Sequence, residues 1–132
     1  MQSIFEVKNA LYFDKDVFDK MNETASALLC KAEKEQYTQA IILLSEQGKE
    51  YSAIVSNALS KDKADEKSLL NTLANDTKID RILCVWSDGS VDIPSFTFRE
   101  MLLDANEKNT DSGIFVKTAD GFSVIKLGNT LK

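Results

Sequence analysis

Few residues of this 132-residue chain could do chemistry, because it contains no histidine. That removes the commonest general base and the commonest metal ligand together. Carboxylates, hydroxyls and two thiols remain. Asp65 and Glu66 fall in the first turn of a predicted helix, Asp88 and Asp92 lie on a loop at a spacing a cation could use, and Ser95 follows Pro94 at the start of another helix. A positioned carboxylate can act as general acid or base, so Glu66 with Asp65 or Asp88 is the set an enzyme of new chemistry would use. The bland readings compete with it. A first-turn acid is favoured by the helix dipole alone, and a serine at a helix start satisfies free amide donors. Cys30 and Cys84 occupy apolar positions of a predicted helix and strand and read as buried free thiols, not as a disulfide. The sequence holds no glycine-rich phosphate loop, Ser-His-Asp set or Cys-x-x-Cys pair.

The stretch that must position these groups runs from Arg81 to Ala105. It reads as an apolar strand (Ile82 to Trp86), a loop through Asp88-Gly89, and a helix opened by Pro94-Ser95. In α/β domains this arrangement builds a site at the carboxyl edge of a sheet. Ahead of it, Phe13, Val17, Phe18, Met21, Ala25, Leu28, Leu29 and Ala32 keep three-four spacing and predict a helix from Asp14 or Asp16 to near Glu35. Ala40 to Leu44 is an unbroken apolar run, the pattern of a strand covered on both faces. The turn Glu46-Gln47-Gly48-Lys49 returns it as a second strand, Glu50 to Val55. A helix over 63–75 follows, with Ser60 or Asp62 as its cap and Leu69, Leu70 and Leu73 as its buried stripe. Beyond the third helix, whose buried stripe begins at Phe98, strands are expected at 113–117 and 122–127. Phe96 and Phe98 both read as core, and Trp86 as a packed tryptophan or a pocket wall. Residues 1–12 are a lead-in in which Ile4, Phe5, Val7, Leu11 and Tyr12 pack as a short strand or collar.

The length suits one domain over 1–132 with a proper core. A net charge of -5 with no basic block argues against a nucleic-acid partner. No run approaches the ~18 to 20 apolar residues of a membrane span, and Met1 to Glu6 lacks the features of a signal peptide. A cytoplasmic protein without membrane or nucleic-acid partners is the expectation.

The order α-β-β-α-β-α-β-β predicts a three-layer α-β-α protein with a five-stranded mixed sheet. That order resembles the cytidine deaminase superfamily, its small cytidine and blasticidin-S deaminases in particular. Pro94-Ser95-Phe96-Thr97-Phe98-Arg99-Glu100 is similar to the family's Pro-Cys-x-x-Cys-Arg-Gln. Ala64-Asp65-Glu66 stands where the family has Cys-Ala-Glu or His-Ala-Glu. The hairpin 40–55 and the segment 113–121 resemble further family strands, so the likeness covers about residues 14 to 127.

What the resemblance implies is a site that has lost its metal. Zinc deaminases hold zinc with one His or Cys and two Cys, beside a proton-shuttling Glu. The ligand positions here are Ala64, Ser95 and Phe98, and only Glu66 is kept, as a relic of the proton shuttle. A methyl and a phenyl group offer no lone pair, and a serine hydroxyl is a poor zinc ligand. Zinc lowers the pKa of bound water from about 15.7 to about 7, which is on the order of 12 kcal/mol of nucleophile activation. A general base alone typically supplies ~10²- to 10⁴-fold, about 3 to 5 kcal/mol. Glu66 cannot make up that difference, so deamination by the family mechanism is not expected, and with the ligands gone neither metal nor other cofactor is expected. Of the family's nucleoside-holding Asn-x-Glu-Asn loop, Asn57 matches the last asparagine, and the sugar-binding acid has no counterpart. Phe98 is expected to point inward and plug the vacated volume, with the small Ala64 giving it room.

Three functions follow in order. First is a non-catalytic pseudoenzyme acting by binding or assembly, as a homo-oligomer (dimer or tetramer) by analogy with the family. Second is a module that binds a nucleoside-like small molecule, with Asn57 and Trp86 lining the pocket. Third is a divergent hydrolase of the deaminase type.

Overall fold

The computed structural model describes residues 11–33 and 37–131. Three helices, α1 (Lys15–Lys31), α2 (Ala64–Asn71) and α3 (Phe96–Ala105), surround strands β1 (Gln39–Ser45), β2 (Glu50–Val55), β3 (Ile79–Trp86), β4 (Val91–Asp92), β5 (Gly113–Thr118) and β6 (Gly121–Lys126). The sheet order is β2-β1-β3-β5-β6, with β4 a side arm on β3. β3 and β5 are parallel and the other pairings antiparallel, so the sheet is mixed. Among the described residues it has six strands where five are expected. The extra one arises because the loop after Trp86 turns through Gly89 at φ +88° and lays Val91 and Asp92 against Val85 and Cys84.

The unbroken apolar run of β1 serves two cores. Ala40 and Ile42 face α1 with Leu83, Val85, Phe115 and Val124, and meet its stripe of Phe18, Met21, Ala25 and Leu29. Ile41 and Leu43 face the other way, with Ile82, Cys84, Trp86 and Ile114, into a core closed by Leu69 and Leu73 from the α2 region and Phe98 and Leu102 of α3. Burial of both sheet faces is what the absence of polar alternation requires.

Asp14 caps α1 by accepting the amides of Asp16 and Val17. Gly48 supplies the positive φ of the β1–β2 turn, at +85°. α2 ends at Asn71, short of 75, and the chain then turns through Ala74 at φ +51°. Its cap position is Lys63, not Ser60 or Asp62, because the Ser60 hydroxyl is engaged by the amide of Asp62. Cys30 is exposed, against expectation, while Cys84 is buried, and both are free thiols. Cys30 lies one residue past Leu29, about 100° around the helix from the buried stripe. Ile4, Phe5 and Val7 of the lead-in, and the expected helix end near Glu35, lie outside the described residues. Leu11 bridges to Val124, and Tyr12 is exposed. Among the described residues, no helix is long and apolar enough to cross a membrane.

The second core sets the site. α2 enters β3 and α3 leaves it by way of β4, so the N-terminal turns of both helices lie on the sheet face that carries Cys84 and Trp86.

Candidate functional site

Pro94 is buried, and the first turn of α3 is held from below by Ser95, whose Oγ accepts the amide of Phe98 at 3.1 Å. Successive helical positions turn by about 100°, which separates the two aromatics of this turn. Phe98 is 0% exposed in the second core. Phe96, expected in the core, is 52% exposed and lies against the Arg99 guanidinium, 5.6 Å from its ring centroid. Arg99 is buried. Its Nε donates to the Pro94 carbonyl at 3.0 Å and its Nη1 to the Thr130 carbonyl at 2.9 Å, which ties the helix start to the chain's last turn. Burial draws its pKa below the usual value, with the Asp92 carboxylate opposing. A guanidinium remains charged at neutral pH all the same.

α2 presents a different set from the one expected. Ala64 is exposed, so it opens no inward room for Phe98. Asp65 is exposed too, and its Oδ2 accepts the amide of Ser56 at 3.1 Å, pinning the end of β2 to the helix start. Glu66 is buried. Its Oε2 lies 3.6 Å from Nζ of Lys63, and both side chains are more than nine-tenths buried. The same ammonium donates to the carbonyl of Ala58 at 2.8 Å. Lys63 is the site residue that sequence reasoning missed. The available signal was a lysine three residues before an acid, at a position where a capping side chain belongs.

On the strand side, Trp86 is packed, with its Nε1 donating to Asp92 Oδ2 at 3.1 Å. Burial pushes the Cys84 thiol well above its usual pKa; Asp92 and Glu66 add to the rise and Arg99 opposes it. Those three charges therefore lie within electrostatic reach of one buried sulfur. Asp88 and Asp92 do not pair around a cation. Asp88 accepts from the amide and hydroxyl of Ser90, which hold its pKa down at about 2, while Asp92 serves Trp86. Asn57 is exposed, and its Oδ1 accepts the amide of Leu59. A cavity of about 440 Å³ lies on the α1 side, lined by Leu28, Lys31, Thr38, Ile54 and Ser56 among others.

No protein-family model matches the sequence, and no curated protein sequence matches it. Solved structures do. Cytidine deaminase from Mycobacterium leprae superposes with a TM-score of 0.64 at 17% identity, over 86% of this chain and 96% of that one. The chain has the cytidine deaminase fold. The cytidine deaminases of Mycobacterium tuberculosis (TM-score 0.62, 16% identity, 86% and 93% coverage) and Burkholderia pseudomallei (0.59, 16%, 84% and 93%) are also similar.

A zinc ion does not fit the residues at the positions that the sequence resemblance assigns to it. Ala64 has no donor atom, the Ser95 oxygen is engaged by an amide, and Phe98 offers a ring. Among the described residues no three His, Cys, Asp or Glu side chains gather as a ligand set. The carboxylate of Glu66 already faces an ammonium. The arrangement can hold its own charges in place.

Proposed function

We propose that this protein is a non-catalytic member of the cytidine deaminase fold that acts through binding or assembly. The observation that carries the reading is the full burial of Phe98, which the sequence resemblance sets at the position of the third zinc ligand. A phenyl ring cannot coordinate zinc, and it fills volume that a metal and a pyrimidine base would need.

Assembly is the form of action favoured here, as a homo-oligomer. Leu59 is 61% exposed just ahead of α2, and Phe96 is 52% exposed at the start of α3. Large apolar side chains left in water beside the helix starts are the sort of surface a second subunit covers.

The test is direct. The purified protein is dialysed against zinc, analysed for metal, and assayed for deamination of cytidine, deoxycytidine and blasticidin S. Neither retained zinc nor product is expected. About one zinc per chain after dialysis would overturn the reading. Light scattering tests assembly separately, and a monomer mass at high micromolar concentration would refute it. A thermal-shift screen with nucleosides addresses binding. A ligand at 100 times its Kd adds about 2.7 kcal/mol to stability, so a nucleoside site would be readily visible.

A further inference from the structure

Lys63 breaks a local rule. It occupies the cap position of α2 without a side-chain cap bond, where Ser, Thr, Asn or Asp is favoured and where a cation opposes the helix dipole. It is also nine-tenths buried, which lysine rarely is unless paired. Its stem turns inward so that Nζ meets the Ala58 carbonyl and the Glu66 carboxylate. Residues that violate local preference mark places where something else is gained.

We propose that the Lys63 ammonium is the built-in cation of this site, standing against Glu66 as counter-ion and closing the site to any outside cation. The proposal rests on the reading that the metal positions no longer bind zinc. A carboxylate more than nine-tenths buried needs a positive partner. Arg99 is committed to the carbonyls of Pro94 and Thr130, and Lys63 is the cation paired with this carboxylate among the described residues, at 3.6 Å. A divalent ion beside Glu66 would meet a positive charge already in place. Through Ala58 the same ammonium holds the 56–62 loop down on the core, so the charge pair and the loop close together.

Two measurements test this. Lys63→Ala leaves Glu66 facing a cavity the size of a lysine stem, and its melting temperature should fall by roughly 10 °C or more. Propylammonium chloride at tens of millimolar should then raise that temperature by several degrees relative to equal sodium chloride. It should do nothing for the parent or for Lys63→Ala/Glu66→Gln. Where Lys63→Ala does not fold, the cycle of Lys63→Met, Glu66→Gln and the double variant serves instead, since methionine keeps the stem. Each single variant should melt lower, and the double should lose clearly less than the sum of the two. Additive losses, or a Lys63→Ala protein that propylammonium does not rescue, would overturn the proposal. Zinc analysis of the parent in parallel separates the outcomes. Retained zinc sinks the non-catalytic reading, whereas failed rescue in a zinc-free parent sinks only the role of Lys63.

Discussion

The Ser95 hydroxyl accepts the backbone amide of Phe98 at 3.1 Å, so two residues that the sequence resemblance sets at metal positions are bonded to each other as a helix cap. The serine oxygen thereby satisfies one of the four amides that a helix start leaves free. A side chain in this role is structural, and its loss has a known scale. Ser95→Ala should destabilise the protein by about 1 kcal/mol, with a melting temperature lower by roughly 4 °C. Ser95→Asp keeps a capping oxygen and should melt close to the parent. Calorimetry that finds the aspartate variant as damaged as the alanine one would remove the capping role.

The two thiols should differ sharply in reactivity. The thiolate is the reactive species. Cys84 is buried and its pKa is raised, first by burial and then by the Asp92 carboxylate, so it stays protonated and inaccessible at pH 8. Cys30 lies exposed on α1. Titration of the native protein with a chromogenic disulfide reagent should release one equivalent quickly, and a second only after denaturation. Two fast equivalents would mean that the second core opens readily.

Asn109 should prove the most costly polar residue to remove. Its Nδ2 donates to the carbonyls of Thr77 and Leu102, each at 2.9 Å, and its Oδ1 accepts the amide of Ile79 at 2.8 Å. One fully buried carboxamide thus ties the end of α3 to the start of β3. Asn109→Ala would leave backbone groups buried without partners. With about 1 to 3 kcal/mol for each such group, the expected loss is about 3 kcal/mol or more by urea denaturation. A loss below about 1 kcal/mol would show that water takes over the bonds.

The elements legible in the sequence were those written as apolar stripes. α1 shows itself through Phe18, Met21, Ala25 and Leu29, and β1 through a run with no polar break. Trp86 at the end of β3 and Ser95 as a helix cap were legible as well. Two apolar residues that stand outside the stripes were read as buried and are not. Cys30 is turned about 100° from Leu29 and Phe96 about 200° from Phe98, and both are exposed. Two of the groups that decide the interior were hidden by their polarity. Lys63 stands at the start of the expected 63–75 helix and Asn109 in a polar stretch, yet both are buried because backbone carbonyls of other segments, Ala58 for the lysine and Thr77 and Leu102 for the asparagine, accept their protons. Tertiary hydrogen bonding leaves no period in a sequence.

Phe98 is the strongest test of what the site has become. An aromatic side chain buries ~150 to 250 Å², and Phe98 is wholly enclosed with Leu69, Leu73, Cys84, Trp86 and Leu102 in one core. Ala64 does not make the room, being exposed; the space is that of the core between α2, α3 and β3. Phe98→Ala should cost about 3 to 5 kcal/mol, the range for a buried aromatic whose cavity collapses only in part. The melting temperature should fall by roughly 10 to 20 °C. Phe98→Leu keeps most of the volume and should cost far less, which separates packing from any loss of ring chemistry. Phe98→Cys should open the cavity yet take up no zinc, because Ser95 still caps the helix and Lys63 still faces Glu66. A Phe98→Ala protein that melts within a degree of its parent would mean that the ring is not core, and a working pocket between α2 and α3 would then be the better reading.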